Sequence, residues 1–382
     1  MKNVKILSVG IGGFANHYIS QMLPKNGDGF EFVGMVEKYP ESCNCLDEIK
    51  VKNIPIYKTI EDFYKEQKAD LAIICTPIFL HTSQTLTALK NGSNVMCEKP
   101  LSGVSADAEL IENEAKKQGK FVITGYQWSY SEAVLSMKKD ILNGLFGKPV
   151  FLKTLILWPR DTNYFKRGSG WAGKIKTADG AVINDSVAAN ATAHYLHNML
   201  FVTGKEYRAS EALNVKADLI RTNDIENFDT SVVSFDLSEG GKGLFVATHS
   251  SLTTLNPTFE YRFEKGIVTY NAAEDIIRAT FSDGSTKEYG SPCKDVHTGK
   301  IYKAIRGCSV EGYIPVCSPY TAAAHVRCIE EMQKEEILTP KLELLKQNGD
   351  FIYIDGLDNA LKECYDKEVI LRDTPYLKEL VK

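Results

Sequence analysis

A lysine in a rigid turn is the first feature of the sequence that could do chemistry. Lys99 stands between Glu98 and Pro100, directly after the apolar run SNVMC. Because proline fixes its own backbone angle and restricts the residue before it, we expect the lysine to be held in place. A held ammonium can donate a hydrogen bond to a substrate hydroxyl and stabilise the alkoxide that forms as a hydride leaves. An ordinary surface turn is the alternative for these residue types.

A glycine-rich turn near the start of the chain predicts a site for a dinucleotide. The residues GIGGFA, 10 to 15, fit the pattern G-x-G-x-x-A between an apolar run and a helical pattern. Such a turn is tight, and the helix that follows offers N–H groups to a pyrophosphate. A glycine turn without a ligand is the alternative. The predicted cofactor contacts in the loop are Gly10, Gly12, Gly13, Phe14 and Ala15.

Glu37 at the end of the second apolar run indicates which dinucleotide is expected. Its carboxylate can accept hydrogen bonds from an adenosine ribose and would repel a 2′-phosphate, which favours NAD over NADP. The neighbouring Lys38 weakens that preference. A solvated strand end is the alternative for Glu37.

Two sequence patterns divide the chain. Over residues 1–125, apolar runs at 4–9, 30–36, 70–75, 93–97 and 121–124 alternate with helical patterns. This alternation predicts a parallel sheet covered on both faces, whose carboxyl edge would receive Lys99. Over residues 126–382, long alternating runs are joined by the turns SEGGKG, EKG and SDGS, with helices near 186–202, 319–335 and 356–366. The second part is therefore predicted to be an α+β domain with an open, mostly antiparallel sheet.

Composition excludes several classes of protein. The net charge of −4 does not indicate a basic surface of the kind that binds nucleic acid. No apolar stretch approaches the roughly 20 residues of a membrane-spanning helix, and the N-terminus does not resemble a signal peptide. Nine scattered cysteines favour a reducing cytoplasm over a disulfide framework. Cys43 and Cys45 have no second pair at metal-ligand spacing, so no metal site is predicted.

The stretch ADLAIICTPIFLHTSQTLTALKNGSNVMCEKPLS, residues 69–102, resembles the signature region of the Gfo/Idh/MocA oxidoreductases. With GIGGFA, the resemblance covers the first 125 residues closely and the rest in outline. It implies a Rossmann domain, a second domain with an open sheet, and NAD(P)-dependent oxidation of a hydroxyl group. It also implies that Lys99 is catalytic. The positions that it places along the cofactor are Thr76, Pro77, His81, Glu98 and Lys99.

The resemblance also implies a catalytic helix in the second domain, where family members carry Asp-x-x-x-His-x-x-Asp. The match here is Asn190, His194 and His197, so both carboxylates are replaced. His194 takes the place of the histidine that accepts the substrate proton, and regular helical spacing would bring the three residues to one face. Asp185 is a candidate to replace the lost charge, but helical spacing would put it on another face. A satisfied helix histidine, or a metal site at H-x-x-H without a third ligand, is the alternative.

Aromatic and arginine side chains between residues 126 and 171 predict the substrate side. The set comprises Tyr126, Trp128, Trp158, Arg160, Tyr164, Arg167 and Trp171. Aromatic faces with arginine donors suit a sugar or cyclitol, whereas the alternative is a set of core aromatics. The predicted substrate contacts are Trp128, Arg160, Trp171, Asn190 and His194. Gln127 is expected near the nicotinamide, and the WAGK segment resembles the family's Trp-Arg-Gly with its arginine missing.

The expected function is a cytoplasmic NAD-dependent dehydrogenase that oxidises one secondary hydroxyl of a sugar, glycoside or cyclitol. An NAD-recycling glycosidase that acts through a transient keto-sugar is an alternative, and a non-enzymatic NAD-binding sensor is another. An open sheet leaves one face to cover, so a homodimer or homotetramer is expected.

Overall fold

The computed structural model describes residues 3–167, 170–294 and 297–380. The helices are α1 Asn16–Met22, α2 Leu46–Val51, α3 Ile60–Glu66, α4 Ile78–Lys90, α5 Asp107–Gln118, α6 Glu132–Leu142, α7 Thr162–Phe165, α8 Ala193–Thr203, α9 Gly299–Gly307, α10 Pro319–Met332, α11 Leu357–Lys367 and α12 Pro375–Leu380. The strands are β1 Val4–Val9, β2 Phe30–Val36, β3 Ile56–Tyr57, β4 Leu71–Ile74, β5 Asn94–Cys97, β6 Val122–Thr124, β7 Pro149–Leu157, β8 Ala212–Ile220, β9 Thr230–Leu237, β10 Lys242–Thr248, β11 Leu255–Phe263, β12 Gly266–Asn271, β13 Ile276–Phe281, β14 Thr286–Gly290, β15 Ile337–Leu338, β16 Leu345–Asn348 and β17 Phe351–Ile354. None of the helices in these ranges has both the length and the apolar composition needed to cross a membrane.

The chain forms two compact units. The first comprises Met1–Ser131 and Asp295–Ala323, and the second comprises Glu132–Lys294 and Ala324–Lys382. The division expected after residue 125 thus lies at residue 131, and a later segment that includes α9 belongs to the first unit. The sequence did not indicate that the chain comes back to the first unit at this later segment. The periodicity of an amphipathic helix shows which face is buried but not what covers it.

A six-stranded sheet organises the first unit. Its strand order is β3-β2-β1-β4-β5-β6, and every pair is parallel. Each residue of β4 is buried, as expected for a strand with helices on both faces. The predicted Rossmann sheet is confirmed. Since all its strands run the same way, the residues that follow them meet at a single edge.

A nine-stranded sheet organises the second unit, in the order β14-β13-β12-β11-β7-β10-β9-β8-β15. The three predicted hairpins join β9 to β10, β11 to β12 and β13 to β14 as antiparallel pairs. Only the pairs β10–β7 and β15–β8 are parallel. The prediction of a mostly antiparallel second sheet is therefore confirmed.

The chain's own C-terminal segment covers part of one face of this sheet. Leu155 and Leu157 of β7, with residues of β8, β9 and β10, form a core cluster with Ile354, Leu361 and other side chains of residues 354–380. Because side chains alternate along a strand, Leu152 of β7 takes the opposite face. There its pairing partner Tyr261 accepts a hydrogen bond from Asn198 of α8 at 3.2 Å.

This cover predicts a stability effect in the second unit. Replacing the fully buried Leu361 by alanine should lower the free energy of unfolding by about 2–5 kcal/mol, because the surrounding core closes only partly over the cavity. Urea unfolding measures the difference. Leu342→Ala is the matched control, because Leu342 is 84% exposed and its loss should change stability by less than about 0.5 kcal/mol. Equal effects of the two substitutions would contradict the packing of this segment.

Candidate active site

The carboxyl edge of the parallel sheet collects most of the predicted cofactor residues. Five strands each deliver one or two of them, which are Gly10 after β1, Glu37 after β2, Thr76 and Pro77 after β4, Glu98 and Lys99 after β5, and Gln127 after β6. This is the edge at which open α/β sheets bind ligands. The backbone topology alone therefore brings these residues to one place.

The glycine loop is shaped as an anion-binding turn. Gly10 has φ +84°, and a Cβ there would lie 2.6 Å from the carbonyl oxygen of Cys75, so only glycine fits. Around Gly13, with φ +53°, nothing lies within 4 Å of an added Cβ, which leaves the backbone open on that side. Glu37 Oε2 accepts hydrogen bonds from the N–H groups of Ile11 at 3.1 Å and Gly12 at 3.4 Å. Two N–H groups of the loop thus already bind an anionic oxygen.

The remaining residues of the GIGGFA motif open the helical segment. Residues Gly13–Ala15 form a 3₁₀ turn that leads directly into α1. Ala15 is buried, whereas Phe14 remains 41% exposed beside the loop. The small residue therefore packs inward, and the large one is left accessible.

His81 ties two of the edge loops together. One ring nitrogen lies 2.8 Å from the carbonyl oxygen of Thr76, and the other lies 2.8 Å from that of Pro100. Burial lowers the pKa of His81, against the effect of the two carbonyl acceptors, so the ring is neutral at pH 7 and donates to one of them. His81 therefore positions the Thr76 and Lys99 loops. Its predicted role along the cofactor stays a prediction.

Glu98 is the centre of a buried polar cluster beneath Lys99. Its Oε1 lies 2.5 Å from Lys300 Nζ and accepts a hydrogen bond from the hydroxyl of Tyr18, while its Oε2 accepts one from Lys99 N at 3.2 Å. Lys300 Nζ also donates to the carbonyl oxygen of Gly125 at 3.0 Å. Burial raises the pKa of the Glu98 carboxyl, but the Lys300 ammonium and the Tyr18 hydroxyl outweigh burial and hold that pKa below its usual value. Glu98 is therefore ionised at neutral pH.

Sequence reasoning missed Lys300. A lysine is ordinarily an exposed residue, yet this side chain is 0% exposed. A signal was present, because Lys300, Ala304 and Gly307 are spaced by four and three residues and share the buried face of α9. A lysine on a face of small residues indicates a buried cation with a specific partner.

Lys99 and Gln127 are the edge residues best placed to meet a ligand. Lys99 is only partly buried, and its bond to Pro100 is cis. Gln127 has a buried Oε1 with no hydrogen-bond partner in the described ranges, so this oxygen is available as an acceptor. Trp128, by contrast, is 2% exposed, which leaves its predicted substrate contact without support.

In the second unit, the predicted catalytic helix is broken. Residues Val187–Ala191 form a π-helical turn, and α8 begins only at Ala193. Regular helical spacing therefore does not hold before α8, and the expectation that Asp185 faces away from Asn190 was wrong. Asp185 Oδ1 accepts a hydrogen bond from Asn190 Nδ2 at 2.8 Å, and its Oδ2 accepts one from Gly173 N at 2.6 Å. A carboxylate thus stands beside Asn190 after all.

The two histidines of α8 have different surroundings. His194 is 8% exposed and is the second residue of α8. His197 is 1% exposed, and its ring stacks on that of Phe201 at 5.8 Å. Burial, and to a lesser extent the nearby His325 and Lys138, lower the pKa of His197 well below its usual value, so it is uncharged. Packing accounts for His197, and its catalytic role stays a prediction.

The segment that follows β7 carries the remaining aromatic and arginine residues. Asp161 Oδ1 accepts a hydrogen bond from Tyr164 N at 2.8 Å and so caps α7. The C-terminal hairpin β16–β17 braces this segment, because Asp161 pairs with Phe351 and Thr162 N donates to the carbonyl oxygen of Asp350 at 3.0 Å. The backbone next to Trp158 and Arg160 is therefore held both by the cap of α7 and by the hairpin β16–β17.

The first unit fits NAD on its own geometry. The backbone at Gly13 is open to the close approach of a pyrophosphate, the Glu37 carboxylate at the end of β2 suits ribose hydroxyls, and Gln127 Oε1, which has no partner in the described ranges, can accept from an amide N–H. No group of three or more His, Cys, Asp or Glu side chains that could hold a metal ion occurs in the described ranges.

The buried pair predicts a specific pattern of stabilities. Lys300→Met should lower the free energy of unfolding by about 3–5 kcal/mol, because it leaves the Glu98 carboxylate buried without its cation. The double variant Glu98→Gln/Lys300→Met removes both charges and should recover most of that loss. Urea unfolding of the four proteins gives the coupling free energy, and strictly additive losses would contradict the pairing.

The same pair predicts a pH dependence. Because the pKa of Glu98 is lower in the folded than in the unfolded chain, its ionised form stabilises the fold above the unfolded pKa, and this stability is lost as pH falls through the folded pKa. Glu98→Gln should therefore flatten the decline of unfolding free energy below about pH 4.5. An unchanged acid limb in this variant would show that Glu98 is not ionised in the fold.

Comparisons with known proteins agree with this geometry. Residues 4–126 match the family model of the Gfo/Idh/MocA proteins, described as an oxidoreductase family with an NAD-binding Rossmann fold. The chain is 22% identical to myo-inositol 2-dehydrogenase of Thermotoga maritima over 232 residues. This match covers 60% of this chain and 64% of that protein. It is 25% identical over 151 residues to 2,7-anhydro-N-acetylneuraminate hydratase of Mediterraneibacter gnavus, covering 40% and 39%. The matches thus span less than two thirds of the length of these relatives.

A solved structure resembles the chain over most of its length. The WlbA dehydrogenase of Bordetella pertussis, in complex with NADH and UDP-GlcNAcA, superposes with a TM-score of 0.70 at 19% identity, covering 87% of this chain and 97% of that one. At this identity the likeness shows the fold. The likeness to the Gfo/Idh/MocA family of oxidoreductases, with its NAD-binding Rossmann fold, is thus shown over the N-terminal domain, residues 4–126.

Proposed function

We propose that the protein is an NAD-dependent dehydrogenase that oxidises a secondary hydroxyl group of a sugar, glycoside or cyclitol. The observation that carries the proposal is the carboxyl edge of the first sheet, where the partly accessible Lys99 follows β5 and the glycine loop follows β1. A cation fixed beside a dinucleotide site is what hydride transfer from an alcohol requires. The named inositol dehydrogenase among the relatives supports a polyol substrate.

The proposed reaction divides the two hydrogens of the alcohol between cofactor and protein. NAD, when bound, accepts the hydride from the carbon. Lys99 donates a hydrogen bond to the substrate oxygen and stabilises the negative charge that develops on it. His194 accepts the hydroxyl proton, so the C–O single bond becomes the carbonyl of a ketone. Asn190, held by Asp185, would orient the substrate.

The proposed partners are a small carbohydrate or cyclitol and further copies of the same chain, as a homodimer or homotetramer. On one face of the second sheet, β7, β8, β9 and β10 already pack against residues 354–380 of the same chain. A subunit interface on this sheet would therefore have to use surface that this segment leaves uncovered. The nine cysteines support a reducing cytoplasm as the compartment.

Lys99→Met tests the catalytic role. Turnover should fall by about three orders of magnitude while the dissociation constant for NAD changes little, because the ammonium acts on the substrate oxygen. NADH formation measures the first quantity, and calorimetry measures the second. Lys117→Met on α5, where the lysine side chain is 71% exposed, is the control that removes the same charge. Retained turnover in Lys99→Met would refute the mechanism.

Glu37→Ser tests the preference for NAD. The variant should bind NAD about tenfold more weakly and NADP more tightly, because it loses an acceptor for the ribose hydroxyls and a charge that repels a 2′-phosphate. The exposed Glu41, four residues further on, provides the matched control Glu41→Ser. If both variants keep the original ratio of the affinities for NAD and NADP, Glu37 does not select the cofactor.

A second candidate is an enzyme that oxidises its substrate transiently and returns the hydride. The relative from Mediterraneibacter gnavus is named a hydratase, a reaction class without net redox change, and this supports the alternative. Absorbance at the NADH wavelength separates the two, with purified protein, NAD and a panel of inositols, aldoses and glycosides. A dehydrogenase accumulates NADH, whereas the recycling enzyme converts a substrate without net NADH.

A further inference from the structure

Two arginines in the segment after β7 are stacked on one tyrosine. The guanidinium carbon of Arg167 lies 3.6 Å from the ring centroid of Tyr164, and that of Arg160 lies 4.9 Å from it. Each also lies over a tryptophan, Arg160 at 5.7 Å from the Trp158 ring and Arg167 at 5.3 Å from the Trp171 ring. Stacking of this kind fixes the plane of a guanidinium group while its edges stay available for hydrogen bonding.

Neither arginine has an acidic partner. No carboxylate lies within 4.0 Å of either guanidinium group in the part of the chain that the structure describes. The two nearby carboxylates are engaged elsewhere, since Asp161 accepts from Tyr164 N and Asp185 accepts from Gly173 N and Asn190 Nδ2. Arg160 Nε is buried without a hydrogen-bond partner in the described ranges. A buried donor of this kind is costly unless a ligand satisfies it.

The remaining neighbours do not offset the positive charge. His249 lies against Tyr164 at 5.4 Å, and its Nδ1 lies 2.8 Å from the carbonyl oxygen of Trp158. Burial lowers the pKa of His249 to about 3, helped by the two arginines, so the ring is neutral at pH 7. The positive charge of the patch therefore comes from the arginines, and no carboxylate within 4.0 Å offsets it among the residues that the structure describes.

The arginine pair shares its supports with the proposed catalytic residues of the second unit. Trp158 packs edge-on against Tyr195, the neighbour of His194, at 5.7 Å. Asp185 joins the backbone of the segment that follows Trp171 to the side chain of Asn190. The arginine pair, His194 and Asn190 are thus carried by segments of the second unit that pack on one another.

We propose that Arg160 and Arg167 form a subsite for an anionic substituent, a carboxylate or a phosphate, on the sugar that this protein oxidises. The proposal rests on the proposed function and narrows its substrate class from neutral polyols to sugar acids or sugar phosphates. Planar guanidinium groups bind both kinds of anion through paired charge-assisted hydrogen bonds. A neutral sugar would leave the two positive charges and Arg160 Nε unsatisfied.

Binding of matched ligands tests the subsite without requiring turnover. Glucose, galactose and mannose are each compared with the corresponding hexuronate and hexose 6-phosphate, by calorimetry and by tryptophan fluorescence, with NAD present. At least one acid should bind about tenfold or more tightly than its neutral counterpart. Tighter binding of the hexuronate identifies the anion as a carboxylate, and tighter binding of the 6-phosphate identifies it as a phosphate. If no acid in the panel binds more tightly than its neutral counterpart, the proposal is overturned.

Variants assign the preference to the arginines. Arg160→Met and Arg167→Met should each bring the acid close to the affinity of the neutral sugar, and Arg167→Lys should restore only part of the preference because it keeps charge but not the planar fork. Lys166→Met is the matched control, because it removes an adjacent exposed charge and should leave the preference within about twofold. Circular dichroism confirms that each variant is folded. A preference that survives in both methionine variants would overturn the subsite.

The two proposals fail in different ways. An acid that binds through the arginines and is converted without net NADH would refute the dehydrogenase and leave the subsite intact. Neutral and acidic sugars that are oxidised with equal KM, in the unaltered protein and in Arg160→Met and Arg167→Met alike, would refute the subsite and leave the dehydrogenase intact.

Discussion

The contact of Glu98 with Lys300 is the interaction on which the first unit depends. A carboxylate with 5% exposure is tolerated there only because an ammonium and a tyrosine hydroxyl satisfy it. The ammonium comes from α9, about 200 residues later in the chain, so the turn that carries Lys99 is completed by a distant segment. Gly125 completes the arrangement, since a Cβ there would lie 2.8 Å from Glu98 Oε1.

Asp185 has the corresponding role in the second unit. It binds a backbone N–H of the turn after Trp171 and the side chain of Asn190 through separate oxygens. The π-helical turn Val187–Ala191 makes this possible, because it alters the direction in which Asn190 leaves the backbone. Both units thus use one buried carboxylate to join a loop to a residue with a proposed chemical role.

Local patterns in the sequence predicted the elements and the edge residues well. The apolar runs gave β1 and β2 with their observed bounds, and the rule for parallel strands placed Glu37 and Lys99 at one edge. What could not be predicted depends on long-range packing or on irregular backbone. Lys300 looks like a surface lysine until its distant partner is known, and the contact of Asp185 with Asn190 contradicts regular helical spacing. Trp128 was singled out by residue type and His197 by its place in the family's helix motif, and neither reveals burial.

The C-terminal segment connects the architecture of the second unit to the positions of the two stacked arginines. Its helix α11 packs on β7, and its hairpin β16–β17 pairs with Asp161 in the segment that carries Arg160 and Arg167. The positions of the two guanidinium groups therefore depend on residues near the end of the chain, far from the glycine loop and from Lys99 in sequence. A substitution in this tail that alters the pairing of Asp161 with Phe351 would move the segment that carries both guanidinium groups and leave the glycine loop and Lys99 unchanged.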